Sequence, residues 1–232
     1  MTDTPSEATA GVTTPEDQPP QDAPEKADKA ERSRLVQPVL ERLFELYPHL
    51  FGAEFLPLKL GIFQELLALH PQHFERQTLK AALGWHTRST RYLQSVAAGK
   101  PRHDLQGQAV EPVAPEHIAL ALLALFRRRQ GRSQEDMRPK FRARLRAAFE
   151  ASGLSRQDYL AIVQTHDENA NALLQEALAE HDQKLAKQEA LRRAFASSGK
   201  TLTEFAAMYG LDQRDVSLAL QQGQPRQVGA TS

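Results

Sequence analysis

The stretch WHTRSTRYLQSVAAGKPRHDLQG (residues 85–107) sets hydroxyls and arginines around Tyr92 and then closes on a glycine-containing basic turn. Thr87 fits an N-cap for a helix that buries Tyr92, Leu93 and Val96 at helical spacing. Residues 99–113 hold Gly, Pro and an Asp-Leu-Gln-Gly turn between short apolar flanks, which predicts a small β-hairpin. The first amides of a helix have no intrachain acceptors and carry the positive end of its dipole, so such a start is a ready anion site. Hydroxyls of Thr87 and Ser89, with Arg88 and Arg91 beside them, suit a phosphate or a nucleotide terminus. Tyr92 offers a stacking face and a hydroxyl, a combination used on exposed nucleotides. Arg76 and Lys80 stand four apart one helix earlier and share a face, and Arg102 is expected to project from the later turn. An ordinary cap with a core tyrosine and solvated arginines satisfies the same spacing, and spacing alone leaves both readings open.

Outward from this stretch the chain reads as helices. Val39, Leu40, Leu43, Phe44 and Tyr47 recur at three and four until Pro48. Leu60, Phe63, Leu66, Leu67 and His70 repeat that spacing, and residues 78–83 give a short helix. Pro115 suits a first helical position, ahead of Ile118, Leu122, Leu125 and Phe126. The C-terminal half repeats itself: LRAAFEASGLSRQDYLAI (145–162) aligns without gaps on LRRAFASSGKTLTEFAAM (191–208), 46 residues apart. The fold class expected is mainly α, with a compact helical domain and a small hairpin. A helical C-terminal region with a duplicated helix-turn-helix-like unit follows. Boundaries are expected at a disordered acidic tail (1–32), the first domain (33–131), a basic connector (132–144), the repeat region (145–222) and a disordered tail (223–232).

Charge is uneven although its total is zero. Residues 1–32 carry eight acidic against three basic groups, and residues 33–131 carry twelve basic against eight acidic. Residues 127–146 hold nine basic groups with only Glu135 and Asp136 opposing them. A field that changes sign along the chain points to steering of a charged partner. The absence of cysteine excludes disulfides, thiolate zinc sites and cysteine nucleophiles. No apolar run approaches the roughly 20 residues that span a bilayer, and the first residues lack a signal-peptide pattern. A soluble cytoplasmic protein is expected. His70 and His73 flank Pro71, which breaks the helix that would align them on a metal, so no metal is expected there. No Walker loop, GxSxG elbow, HExxH or GxGxxG occurs, and an enzyme or a cofactor is not expected.

PLKLGIF (57–63), LKAALGWHTRSTRYL (79–93), PRHDLQG (101–107) and PEH (115–117) occur in order and at suitable spacing. Together they resemble the ProQ/FinO domain of bacterial RNA chaperones over residues 35–129. The resemblance implies a mostly α domain with a small hairpin, whose concave basic face holds the base of an RNA hairpin and its 3′ single strand. It implies partners among structured RNAs (small RNAs and messenger 3′ ends) and a role in stabilising small RNAs or promoting their pairing with messages. Carried over by position, it assigns RNA contacts to Lys59, Arg76, Lys80, Arg91, Tyr92 and Arg102, with Thr87, Arg88 and Ser89 at the RNA 3′ end. Lys59 serves either RNA or the fold, because PLK also opens a buried helix. This chain departs from the family's pattern with Gly84 and Leu122 where relatives carry arginine, His86 for a tyrosine, and Arg88 for a small residue. Those changes weaken the face or move it towards residues 127–129 and the connector. Two other readings stand for the C-terminal half. Residues 201–220 resemble a helix-turn-helix with Arg214 and Ser217 exposed, a DNA-binding regulator, although Asp212 and Asp215 disfavour phosphates. Alternatively that half is an adaptor for a protein partner.

Overall fold

The computed structural model describes residues 23–52 and 54–221. Among them the chain forms eleven helices and one two-stranded antiparallel hairpin. Helix α1 (Ala23–Leu46) ends before Pro48, which opens the single turn α2 (Pro48–Phe51). The acidic tail expected at 1–32 lies outside the described residues as far as residue 22, whereas 23–32 belong to α1. The tail expected at 223–232 lies outside them altogether. Leu43, Leu50, Leu66, Leu79 and Tyr92 meet in a first core, supplied by α1, α2, α3 (Ile62–Leu69), α4 (Arg76–Thr87) and α5 (Thr90–Ala97). The short helix expected at 78–83 is longer at both ends.

The hairpin pairs β1 (Arg102–His103) with β2 (Ala109–Glu111), with a register shift between Arg102 and His103. Asp104 makes its turn by accepting from the amides of Gln106 (3.0 Å) and Gln108 (2.8 Å), as Asp does in tight turns. Gly107 takes a φ of 76° there, which a residue with a Cβ rarely adopts. The hairpin is held on the first core by His103, whose carbonyl accepts from the Lys59 amide (2.9 Å) and whose amide donates to the Pro57 carbonyl (2.7 Å).

Helix α6 (Pro115–Gln130) has Pro in its first turn, as the sequence predicts. It serves two cores. Ala121 packs in the first core, while Ala119, Leu122 and Leu123 pack in a second with α7 (Arg138–Ser152), α8 (Arg156–Val163) and the first half of α9 (Glu168–Ser198). The boundary expected after residue 131 therefore cuts through shared packing. The connector expected at 132–144 is a short loop followed by the start of α7. Three of its five basic groups are spent inside the fold: Arg142 reaches Glu176 and Glu180, Lys140 pairs with Glu135, and Arg138 with Asp136; just beyond it Arg146 reaches Glu150 and Glu180. Glu135 and Asp136 are in view within the run, but the partners of Arg142 on α9, 34 and 38 residues on, are not. Burying each of Leu122 and Leu123 stabilises by about 2 kcal/mol. A fragment ending at residue 131 is thus expected to melt at least about 15 °C below the full chain, and one ending at residue 182 to stay near it. Equal midpoints for the shorter fragment and the full chain in thermal denaturation would show the second core to be dispensable.

The two aligned C-terminal segments share local geometry. Each has a helix that ends at a left-handed glycine (Gly153, φ 66°; Gly199, φ 60°), then an eight-residue helix capped by a hydroxyl (Ser155 or Thr201). Each joins its helices with an edge-on aromatic pair, Phe149–Tyr159 at 5.1 Å and Phe195–Phe205 at 5.2 Å between centroids. The second segment ends in α10 (Leu202–Tyr209) and is closed by α11 (Gln213–Gln221), with Phe205 and Val216 in a small third core.

Candidate nucleic-acid interface

The surface of α4 carries the densest unpaired positive charge of the first domain. Arg76 opens the helix, Lys80 follows one turn later, and Arg88 caps its end; all three, with Gln77 and Ala81, line one groove of about 600 Å³. Among the described residues no carboxylate makes an ion pair with any of them. The Arg76 guanidinium lies 5.7 Å over the Phe63 ring, which fixes its direction without neutralising it. Arg88 folds back along α4 and donates through Nε to the Gly84 carbonyl (2.7 Å). A Cβ on Gly84 would stand 2.8 Å from an Arg88 terminal nitrogen. The glycine at 84 and the arginine at 88 are therefore linked: the bare backbone makes room for a guanidinium arriving from one turn further on.

At the α4–α5 junction the cap is Ser89, whose Oγ accepts from the Tyr92 amide (3.2 Å). Thr87, expected as the cap, is instead the last residue of α4, and its hydroxyl donates to the Leu83 carbonyl (2.9 Å). Helix α4 runs further than its apolar spacing implies, so the break falls two residues later. With Ser89 serving the third amide, those of Thr90 and Arg91 are left at the open end of α5. Arg91 is exposed, its guanidinium 5.4 Å over Phe55. Phe55 in turn stacks on His86, at 4.7 Å with planes 15° apart.

Two expected contacts, Tyr92 and Arg102, are largely buried in the fold, and a third, Lys59, is partly exposed within an ion pair. Tyr92 is only 7% exposed; its ring sits in the first core and its hydroxyl accepts from the Leu58 amide (3.1 Å), so it cannot stack on a base. Its place three residues after the cap turns it inward with Val96. Arg102 does not project: its side chain is 11% exposed, donates to the Leu58 carbonyl (2.9 Å) and lies beside His117 and Glu111. Lys59 pairs with Glu65, which raises its pKa. Removing Arg102 as alanine should therefore cost stability, because the Leu58 carbonyl loses its charged donor.

His86 is buried, 3% exposed, against Phe51, Phe55 and Tyr92, and its Nε2 has no partner. Burial pushes its pKa down to about 4, so the ring is neutral at physiological pH.

One contributor was legible only as part of a run. Arg127, Arg128 and Arg129 are consecutive on α6, and about 100° per residue sends them to three different neighbours. Arg127 pairs with Asp167, the N-cap of α9. Arg128 crosses to the α4–α5 junction, donating to the Arg88 carbonyl (2.7 Å) and to Thr90 Oγ1 (3.1 Å). Arg129 faces α7. The candidate interface thus comprises Arg76, Lys80 and Arg88 along α4 and Arg91 and Arg128 at the α4–α5 junction, with Ser89 at its edge. Helix α11 offers much less: Arg214 stands between Asp212, which accepts from its amide, and Asp215.

Known proteins are similar to this chain over the same region. A family model described as the ProQ/FINO family matches residues 33–138. An RNA chaperone ProQ of Shewanella frigidimarina is 38% identical over 91 residues, covering 38% of this chain and 45% of the relative. One from Shewanella oneidensis is 40% identical over 84 residues (34% and 39%), and one from Aeromonas salmonicida 35% over 102 residues (42% and 49%). The chain spans about half the length or less of these curated relatives. A crystal structure of a FinO-like RNA chaperone from Neisseria meningitidis is similar at 32% identity, over 38% of this chain and 92% of that one, with a TM-score of 0.35.

Proposed function

A family model described as the ProQ/FINO family matches residues 33–138, and from that premise we propose that this chain belongs to that family, binds structured RNA and acts as an RNA chaperone. It takes the base of a hairpin and the 3′ single strand that follows, protecting small RNAs or promoting their pairing with messages in the cytoplasm. The observation that carries this reading is the groove of Arg76, Lys80 and Arg88, lined by no carboxylate, with Arg88 next in sequence to Ser89, the N-cap of α5. Three cations at helical spacing meet successive phosphates of an A-form strand, whose narrow major groove leaves shape and backbone as the readable features. The Thr90 and Arg91 amides, with Ser89 and Arg128 beside them, suit a terminal phosphate or ribose of the 3′ end. Nothing in this requires a bond to be made or broken, a metal or a cofactor. The relatives named RNA chaperone ProQ support the same partner class.

The test is a binding titration of the full chain against a terminator-like hairpin with a 3′ tail. The same hairpin without the tail, the tailed hairpin with a blocked 3′ hydroxyl, and duplex DNA serve as competitors. The tailed hairpin is expected to bind at least about tenfold more tightly than any of them. Equal affinity for all four would reduce the interaction to general electrostatics. A protein partner belongs to the proposal for the C-terminal unit, where Met208 and Tyr209 of α10, Leu211 of the following turn and Leu218 of α11 are exposed. Affinity for DNA in that unit would favour the regulator reading instead.

A further inference from the structure

We infer that the seam between α6 and α7 is a second RNA-backbone site, which takes a single-stranded flank beyond the face just described; this rests on the reading of that face as an RNA interface. The charge of residues 127–146 divides into two classes. Arg127, Arg138, Lys140, Arg142 and Arg146 are held by carboxylates. Among the described residues, Arg128, Arg129, Arg132 and Arg144 make no such pair. Of these, Arg129 from α6 and Arg144 from α7 line one small hollow over Leu122, Phe126 and Phe141, whose two phenyl rings stack at 4.5 Å. Folding has brought two guanidiniums to one apolar hollow, and Lys140, the third cation there, already has Glu135.

That arrangement is costly for the chain alone. Arg144 is half-buried, and both desolvation and the neighbouring Arg129 charge lower its pKa. A pair of like charges held together without a counter-ion is relieved by an anion that bridges them. The two acids of the connecting loop are already engaged: Glu135 pairs with Lys140, which lines the same hollow, and Asp136 with Arg138. Gln130 donates to the Glu135 carbonyl and accepts from the Met137 amide.

Two further features point to a nucleotide strand as the anion's bearer. Arg129 is next in sequence to Arg128, which touches the α4–α5 junction, and stands about 100° further round α6 on the side of α7, so a strand leaving that junction across α6 reaches it. Arg144 also borders an open groove of about 650 Å³ walled by small residues such as Gly99, Ala147 and Ala151, wide enough for a base. Its wall includes Tyr159, whose buried hydroxyl has no partner. The chemistry recognised is a phosphodiester with a base lodged beside it, without sequence preference.

The experiment uses the full chain with Arg129→Gln and Arg144→Gln together, and with Arg129→Lys and Arg144→Lys together. Each is titrated with one hairpin bearing either a minimal 3′ tail or single-stranded flanks about ten nucleotides longer, at several salt concentrations. For the glutamine variant, binding of the minimal RNA should stay within about twofold of wild type, while binding of the flanked RNA weakens about tenfold. Its salt slope on the flanked RNA should become shallower by about 1.4, as expected for two single-strand phosphates. The lysine variant should recover most of the loss, and the glutamine variant should melt no lower than wild type because a repulsion has been removed. Wild-type affinity of the glutamine variant for the flanked RNA, or an equal loss in the lysine variant, overturns the second site and leaves the first face standing. Failure of the wild-type chain to bind either RNA overturns both.

Discussion

Replacing Arg76, Lys80 and Arg88 together by glutamine is expected to weaken binding of a 3′-tailed hairpin about a hundredfold at moderate salt. Each phosphate contact contributes about 1 kcal/mol net, and about 3 kcal/mol is close to two decades in affinity. The salt slope should become shallower by roughly 2 to 3, the mark of three lost phosphate contacts. Helix content should not change, because all three side chains are exposed and glutamine is nearly as good a helix former as lysine or arginine. Arg102→Ala provides the contrast. It should lower the melting temperature first and affect RNA binding only as the domain loosens, since its guanidinium is tied to the Leu58 carbonyl. A circular dichroism melt beside an anisotropy titration separates the two outcomes. A triple variant that binds within twofold of wild type would mean that these cations only solvate α4.

The second large effect concerns His86 and acid. In the unfolded chain its imidazole protonates near 6.5, whereas in the fold it resists protonation down to about 4. The unfolded state therefore binds the extra proton first, and stability falls as pH drops from about 6.5 to about 4. The full effect is about 3 kcal/mol, complete above 6.5 and exhausted near 4. Geometry supports the sign: the ring lies under Phe55, which carries the Arg91 guanidinium on it, so a charged imidazole would stand one ring away from a second cation. His86→Phe keeps an aromatic ring and removes the unpartnered Nε2. The melting midpoints of wild type and variant should differ little at pH 7.5. By pH 4.5 the wild type should have lost about 5–10 °C more than the variant. Parallel midpoint curves across that range would show that His86 does not drive the acid sensitivity.

What was readable in the sequence follows the range of the interactions. The hairpin expected within residues 99–113 and the helix start at Pro115 rest on local turn and capping rules, and both appear in the fold. The α4–α5 junction was legible as a hydroxyl-capped helix start but not as to which hydroxyl. Thr87 and Ser89 both qualify, and only the extra turn of α4 decides between them. Tyr92 carried two signals, an exposed-cap neighbourhood and an apolar spacing with Val96, and the spacing won. The roles of Arg102 and Arg128 depend on partners 44 and 40 residues away, which no local pattern contains. Similar distances hid Asp167, Glu176 and Glu180 from Arg127, Arg142 and Arg146, whereas Glu135 and Asp136 lie within the run itself. Of the residues expected at the interface, Arg76, Lys80, Arg88 and Arg91 stand exposed, and Ser89 keeps the edge as its cap.

The surface claim at the centre of this account is open to lysine footprinting of the full chain with an amine-reactive label, with and without saturating tailed hairpin RNA. Lys80 should be protected several-fold in the complex, while Lys200, on the turn after α9, labels at an unchanged rate. Lys80 labelling equally fast in free and RNA-bound protein would contradict the assignment of the α4 groove as the face that holds RNA.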